Sequence, residues 1–157
     1  MDIPVAGENS TCENEIGAFF LAYLDAFDRQ DASAISKLWD EVGLFPSPTG
    51  NFSMDREAFR SHCVTLLDFY RKQGVAEPTD ELLSAEELFS DVAQARMAYK
   101  VLASNGTLVA AWEHVYILRK LDGNWRVSLT IADDEMSAWA TAGAEFQKRT
   151  LALRNRI

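Results

Sequence analysis

VAQARMAYKVLASNGTLVAAWEHVYILRKLDGNWRVSLTI, residues 92–131, reads as three antiparallel strands joined by two tight turns. Val92 to Ala103 is the first strand and Leu108 to Leu121 the second. Between them, Ser104-Asn105-Gly106-Thr107 carries the Asn-Gly pair that accommodates the positive φ angles of a hairpin turn. Asp122-Gly123 turns the chain again, and Trp125 to Ile131 is the last strand. Side chains alternate across a strand. In the second strand Trp112, His114, Tyr116 and Leu118 therefore share one face, and Ala111, Glu113, Val115 and Ile117 share the other. Both faces are largely apolar, so neither suits open water. One face takes helices. The other calls for a partner, either a terminal helix or a second copy, and a homodimer through this sheet face is the favoured reading.

Working outward, Leu82 to Phe89 is short and poorly capped for a helix. It reads as a further strand because β-structure follows it. Before it, Ser53 or Asp55 opens a helix whose apolar face is Phe59, Cys63, Leu66, Leu67 and Tyr70, with Arg71 and Lys72 in the last turn and Gly74 just beyond. Gly43 to Phe52 is a short hairpin, made irregular by Pro46, Pro48 and Gly50. Asp31 caps a short helix that turns Ile35, Leu38 and Trp39 inward. Ile16, Phe19, Phe20, Tyr23, Leu24 and Phe27 recur at helical spacing after the Ser10 and Glu13 capping pair. Residues 1–12 read as a loose tail. Downstream of the strands, Asp133, Asp134 and Glu135 crowd a helix N-terminus, and Met136, Trp139, Ala140, Gly143, Phe146, Thr150 and Leu151 form one apolar face. The expectation is a single α+β domain over 13–157, with helices on a strongly curved antiparallel sheet and an extra C-terminal helix at 134–154.

The whole chain has 157 residues, enough for one well-filled core. Hydrophobic residues make up 48% and charged residues 25%, a globular balance. The net charge of −9 repels nucleic-acid phosphates and anionic lipid heads, so neither is an expected partner. The basic residues Lys148, Arg149, Arg154 and Arg156 suit the end of a helix instead. Cys12 and Cys63 make no disulfide framework. Met1-Asp2-Ile3-Pro4 lacks the features of a signal peptide, and no apolar run spans a bilayer. A cytoplasmic protein is expected.

The stretch Ala22-Tyr23-Leu24-Asp25-Ala26-Phe27-Asp28-Arg29-Gln30-Asp31-Ala32-Ser33-Ala34-Ile35 resembles the opening helix pair of the nuclear transport factor 2-like superfamily, with its acidic landmark at Asp31. The ending Leu118-Arg119-Lys120-Leu121-Asp122-Gly123-Asn124-Trp125-Arg126-Val127 resembles its final hairpin. The resemblance spans roughly residues 14–132 and implies a cystatin-like cone with an apolar pocket between sheet and helices. The superfamily includes ketosteroid isomerases, SnoaL-like polyketide cyclases, dehydratases and epoxide hydrolases, as well as members that only bind, so function stays open.

Tyr23 stands from Asp31 at a spacing similar to that of the isomerases' oxyanion-hole tyrosine, a phenol that donates a hydrogen bond to developing negative charge. The alternative is a core tyrosine bonded to the backbone. Ser47 falls where the resemblance places the isomerases' general-base aspartate, which argues against an ordinary ketosteroid isomerase. It remains a candidate ligand hydrogen bonder or a plain turn serine. The second isomerase acid aligns with Glu113 or His114, which point to opposite faces. A cavity-facing Glu113 would hold its proton in apolar surroundings; a cavity-facing His114 is a candidate general base. Trp112 and Tyr116 would line the site with His114, and Trp39, Phe45, Phe59 and His62 would complete it. Tyr99, Trp125 and Trp139 read as ordinary packing. No metal site and no cofactor are expected. Two functions follow: a small hydrophobic or aromatic ligand bound in the cone, with or without cyclase-, dehydratase- or isomerase-like acid–base chemistry; or a homodimeric interaction module.

Overall fold

The computed structural model describes residues 6–132, and the predicted helix 134–154 lies outside them. The order is α1 (Ala6–Asp28), α2 (Ala32–Lys37), β1 (Trp39–Ser47), β2 (Gly50–Asp55), α3 (Arg56–Lys72), β3 (Val75–Phe89), β4 (Val92–Ala103), β5 (Leu108–Leu121) and β6 (Asn124–Ile131). The strands form one curved sheet ordered β2-β1-β6-β5-β4-β3. Four neighbouring pairs are antiparallel; β1 and β6 run parallel. The sheet is thus mainly antiparallel, with one parallel pair that the sequence reading did not anticipate. The β1–β2 hairpin is made before the β3–β6 meander and closes against its last strand.

Local chemistry sets the boundaries. The Asp31 carboxylate accepts from the Ala34 amide at 3.0 Å and opens α2. Asp55 does the same for Ala58 at 2.8 Å and opens α3, which decides between Ser53 and Asp55. Asp122 and Gly123 have φ of 50° and 79°, the two left-handed residues that a tight hairpin turn requires. The first helix begins earlier than the loose-tail reading of 1–12 allowed. Its apolar stripe extends back to Cys12, one turn before Ile16, and Cys12 is buried in the core. β3 is also longer than the predicted 82–89. It is an edge strand, and the exposed Glu81, Glu86 and Glu87 along it discourage pairing with another chain.

The register of the meander aligns its inner face in rows. Asp80, Tyr99 and Trp112 lie side by side on β3, β4 and β5; Leu82, Met97 and His114 form the next row; Ala85, Ala95 and Tyr116 the next. The main core joins this face to Ile16, Phe20 and Tyr23 of α1, Ile35 of α2, and Phe59 and Cys63 of α3. A second cluster gathers Phe69 of α3 with Val101, Ala110 and Trp112, and Tyr99 touches both. Burial pushes the Cys63 thiol up to about 12, so it is an inert packing group.

Polar clamps tie the helices and strand ends to this sheet. Glu15 of α1 accepts from Trp125 Nε1 at 2.6 Å and lies 3.2 Å from Lys120 Nζ; the Trp125 bond, then Lys120, hold its carboxyl below the usual range. Asp40 pairs with Arg119 and accepts from the Ser128 hydroxyl at 3.0 Å, and the Arg119 bond lowers its carboxyl likewise. No helix among the described residues is long and apolar enough to cross a membrane.

Candidate functional site

The α1 stripe carries Tyr23 onto the start of β1, where Trp39 is buried at 3% exposure. The Trp39 indole N–H donates to the Tyr23 hydroxyl at 3.1 Å. The Trp39 ring packs on Phe45 and Phe59, at centroid separations of 5.2 and 4.3 Å. Half-buried His62 lies along Phe59, 6.4 Å between centroids. Trp39, Phe45, Phe59 and His62 are thus brought together beside Tyr23.

The alternation on β5 points Trp112, His114 and Tyr116 to the inner face. Tyr116 is 1% exposed. Its hydroxyl lies 2.7 Å from the Tyr99 hydroxyl and 2.6 Å from His114 Nδ1. Three polar groups are therefore chained in an aromatic surface, with Trp112 stacked on Tyr99 at 5.7 Å. The Tyr116 ring also meets Phe20 at 5.0 Å and Tyr23 at 6.4 Å, which joins the two aromatic groups. Met97 and Tyr116 are closed off, whereas Tyr99 and His114 keep partial exposure. The chain thus runs from the sealed core to a surface that solvent reaches. Three phenols and an imidazole in this arrangement can donate and accept protons around a bound oxygen.

Two candidates fall elsewhere. Glu113 lies on the outer face, half exposed, 3.5 Å from Arg96 Nη1. Strand alternation leaves His114 alone of the pair facing inward, so Glu113 does not line the inner face as its candidate acid role requires. Ser47 sits in the β1–β2 turn, where its hydroxyl donates to the Gly50 carbonyl at 3.0 Å and accepts from the Thr49 amide at 3.3 Å. Its hydroxyl is engaged within the turn. Tyr99 is the reverse correction. It reads as packing in the sequence, yet its hydroxyl belongs to the Tyr116 chain. Asp80 gave no sequence signal beyond its type. On β3 it stands opposite Tyr99, and its Oδ2 is buried with no hydrogen-bond partner among the described residues. Only the β3–β4 register, which shifts at bulges, places it on the inner face. Among the described residues no group of three or more His, Cys, Asp or Glu side chains gathers to hold a metal.

A family model described as NTF2-like protein (DUF6841) matches residues 13–135. The chain belongs to that family. No curated protein matches it. Among solved structures, this NTF2-like chain is similar to a function-unknown protein of Mycobacterium tuberculosis, at 22% identity over 83% of this chain and 75% of that one, TM-score 0.62. It is similar to a ketosteroid isomerase-like protein of Erwinia carotovora atroseptica, at 21% identity over 76% and 92%, TM-score 0.58. A Nostoc punctiforme domain of unknown function with a cystatin-like fold gives 17% identity over 92% and 98%, TM-score 0.63. At these identities the likeness establishes the NTF2-like fold of the chain and leaves its chemistry to its own residues.

Proposed function

We propose that the protein binds a small hydrophobic or aromatic molecule against the inner face of its sheet and moves a proton on it, in the manner of a cyclase, dehydratase or isomerase. The carrying observation is the Tyr99–Tyr116–His114 chain. A purely structural core would bury phenylalanine at Tyr116, because hiding a hydroxyl and an imidazole nitrogen yields little net stability. In the proposed reaction Tyr23 donates to a ligand oxygen as charge grows there. His114, oriented through Nδ1 by Tyr116, exchanges a proton with the ligand through Nε2. Both cysteines are free thiols, which supports a cytoplasmic setting. Protein purified from its own host should carry a small molecule, visible as added mass under native electrospray. Its release should follow His114→Ala with the fold intact by circular dichroism. Protein that is empty from the host and takes up no apolar small molecule would end this reading.

A second reading, compatible with the first, is a homodimer through the outer face. Leu44, Leu129 and Ile117 are register neighbours across β1, β6 and β5, and Ile131 pairs with Val115 beside them. Leu44 and Ile131 are over 40% exposed, at 45% and 41%. Charges bordering this stripe are neutralised in pairs, Arg96 with Glu113 and Arg119 with Asp40. A second copy of a chain of net charge −9 can approach this stripe without strong repulsion. Light scattering at micromolar concentration should give a dimer mass, and Ile117→Glu should shift it to a monomer. A wild-type monomer under those conditions removes this reading.

A further inference from the structure

One inward carboxylate has no place in the proposed proton chain. Asp80 lies on β3 directly opposite Tyr99, which in turn lies opposite Trp112. Directly opposed residues share a face with Cβ atoms about 5 Å apart, so the carboxylate stands beside two stacked aromatic rings. Its Oδ2 is buried and has no hydrogen-bond partner, and no cation pairs with it, among the described residues. The neighbouring charge is another acid, Asp28 at the end of α1. Arg29, just past α1, is engaged by Asp25 and Asp31. Leaving a buried acceptor unpaired weakens the fold, and such an exception calls for a functional reason.

We infer that Asp80 selects the ligand: its buried Oδ2 accepts a hydrogen bond from a hydroxyl or ammonium group carried on an apolar or aromatic body. This rests on the inner-face binding proposed above and adds the chemical class of the ligand. The apolar inner face takes the ligand's body, and Asp80 takes the donor at its end. A site with a committed acceptor discriminates strongly, because a ligand lacking the donor leaves Oδ2 buried and unsatisfied. An ammonium gains further from the negative end of α1. The carboxyl is pushed up from its ordinary value, first by burial and then, in part, by Asp28. A group raised in the folded state weakens folding as pH climbs through its folded value. The penalty of the empty site is therefore present at neutral pH and fades on acidification.

The test uses the full chain and three probes that differ at one end: ethylbenzene, 2-phenylethanol and 2-phenylethylamine, followed by backbone amide NMR titration. The wild type should bind the alcohol or the amine roughly 10-fold or more tighter than ethylbenzene. Asp80→Leu should bring all three to parity. Asp80→Asn separates the two donors: loss of the preferred amine marks an ammonium ligand, and a retained preference for the alcohol marks a hydroxyl ligand. Without probe, Asp80→Asn should melt higher than wild type at pH 7, with the gain shrinking on acidification. Equal binding of the three probes to wild type, an unchanged preference in Asp80→Leu, or a lowered melting temperature of Asp80→Asn overturns the role of Asp80 while leaving inner-face binding in place. Failure of every probe to bind overturns both.

Discussion

Replacing Trp39 with alanine should remove about 3–5 kcal/mol of folding stability, read as a fall in the urea midpoint. Trp39 is almost fully buried and lies on Phe45 and Phe59 at the junction of β1, α3 and α1. Its loss leaves a cavity between three elements and takes away the donor that orients Tyr23. Trp39→Phe should be milder, since it keeps most of the ring and loses the indole hydrogen bond. Gly43 adds an independent check. A Cβ built there meets Trp39 Cε3 at 2.8 Å and Phe45 Cε2 at 3.4 Å, closer than packed carbons approach. Gly43→Ala should therefore cost about 1–3 kcal/mol by overpacking. In a Trp39→Ala background the same substitution should be nearly neutral, because the ring it strikes is gone. A Trp39→Ala protein within about 1 kcal/mol of wild type would show that the tryptophan neither fills the junction nor holds Tyr23.

The sheet was legible because its signals are local. Asn105-Gly106 and Asp122-Gly123 fix two hairpins, and period-2 alternation then assigns Trp112, His114, Tyr116 and Leu118 to one face with no tertiary information. The helices were legible from Asp31, Asp55 and the Tyr23 stripe. The parallel β1–β6 pair was hidden, since it joins residues over 80 positions apart, such as Trp39 and Val127, and carries no turn. The helix start at Ala6 was obscured by Ser10 and Glu13, whose capping spacing competes with an apolar stripe reaching Cys12. The site was only half visible. Tyr23 and His114 stand out as polar groups in apolar surroundings. Glu113 and Ser47 drew notice through alignment to a resemblance, and alignment does not resolve which way a side chain points. Tyr99 and Asp80 needed the β3–β4 register, and Asp80 sits on the strand whose sequence reads least clearly as β.

Tyr116→Phe should do more to function than any other single-atom deletion in the molecule. The ring stays, with its contacts to Phe20 and Tyr23. The hydroxyl that sits between Tyr99 and His114 Nδ1 is lost. Two groups then lose a shared partner in a poorly solvated place, for a stability loss of about 1–2 kcal/mol. Tyr99→Phe should lose less, because Tyr99 is nearer solvent and Tyr116 keeps His114. The functional loss should be larger than either: turnover falling on the order of 100-fold or more where a proton is moved, since His114 no longer has Nδ1 held. Ring ¹⁵N shifts of His114 supply a readout that packing alone does not move. In wild type one tautomer should dominate, fixed by the Tyr116 hydroxyl; in Tyr116→Phe the two should mix. If the tautomer and the carried ligand are both unchanged in Tyr116→Phe, the hydroxyl chain is ordinary core and the proton-moving role of His114 falls with it. If the tautomers mix while the ligand is retained, binding rests on the aromatic surface and the hydroxyl chain serves only the chemistry.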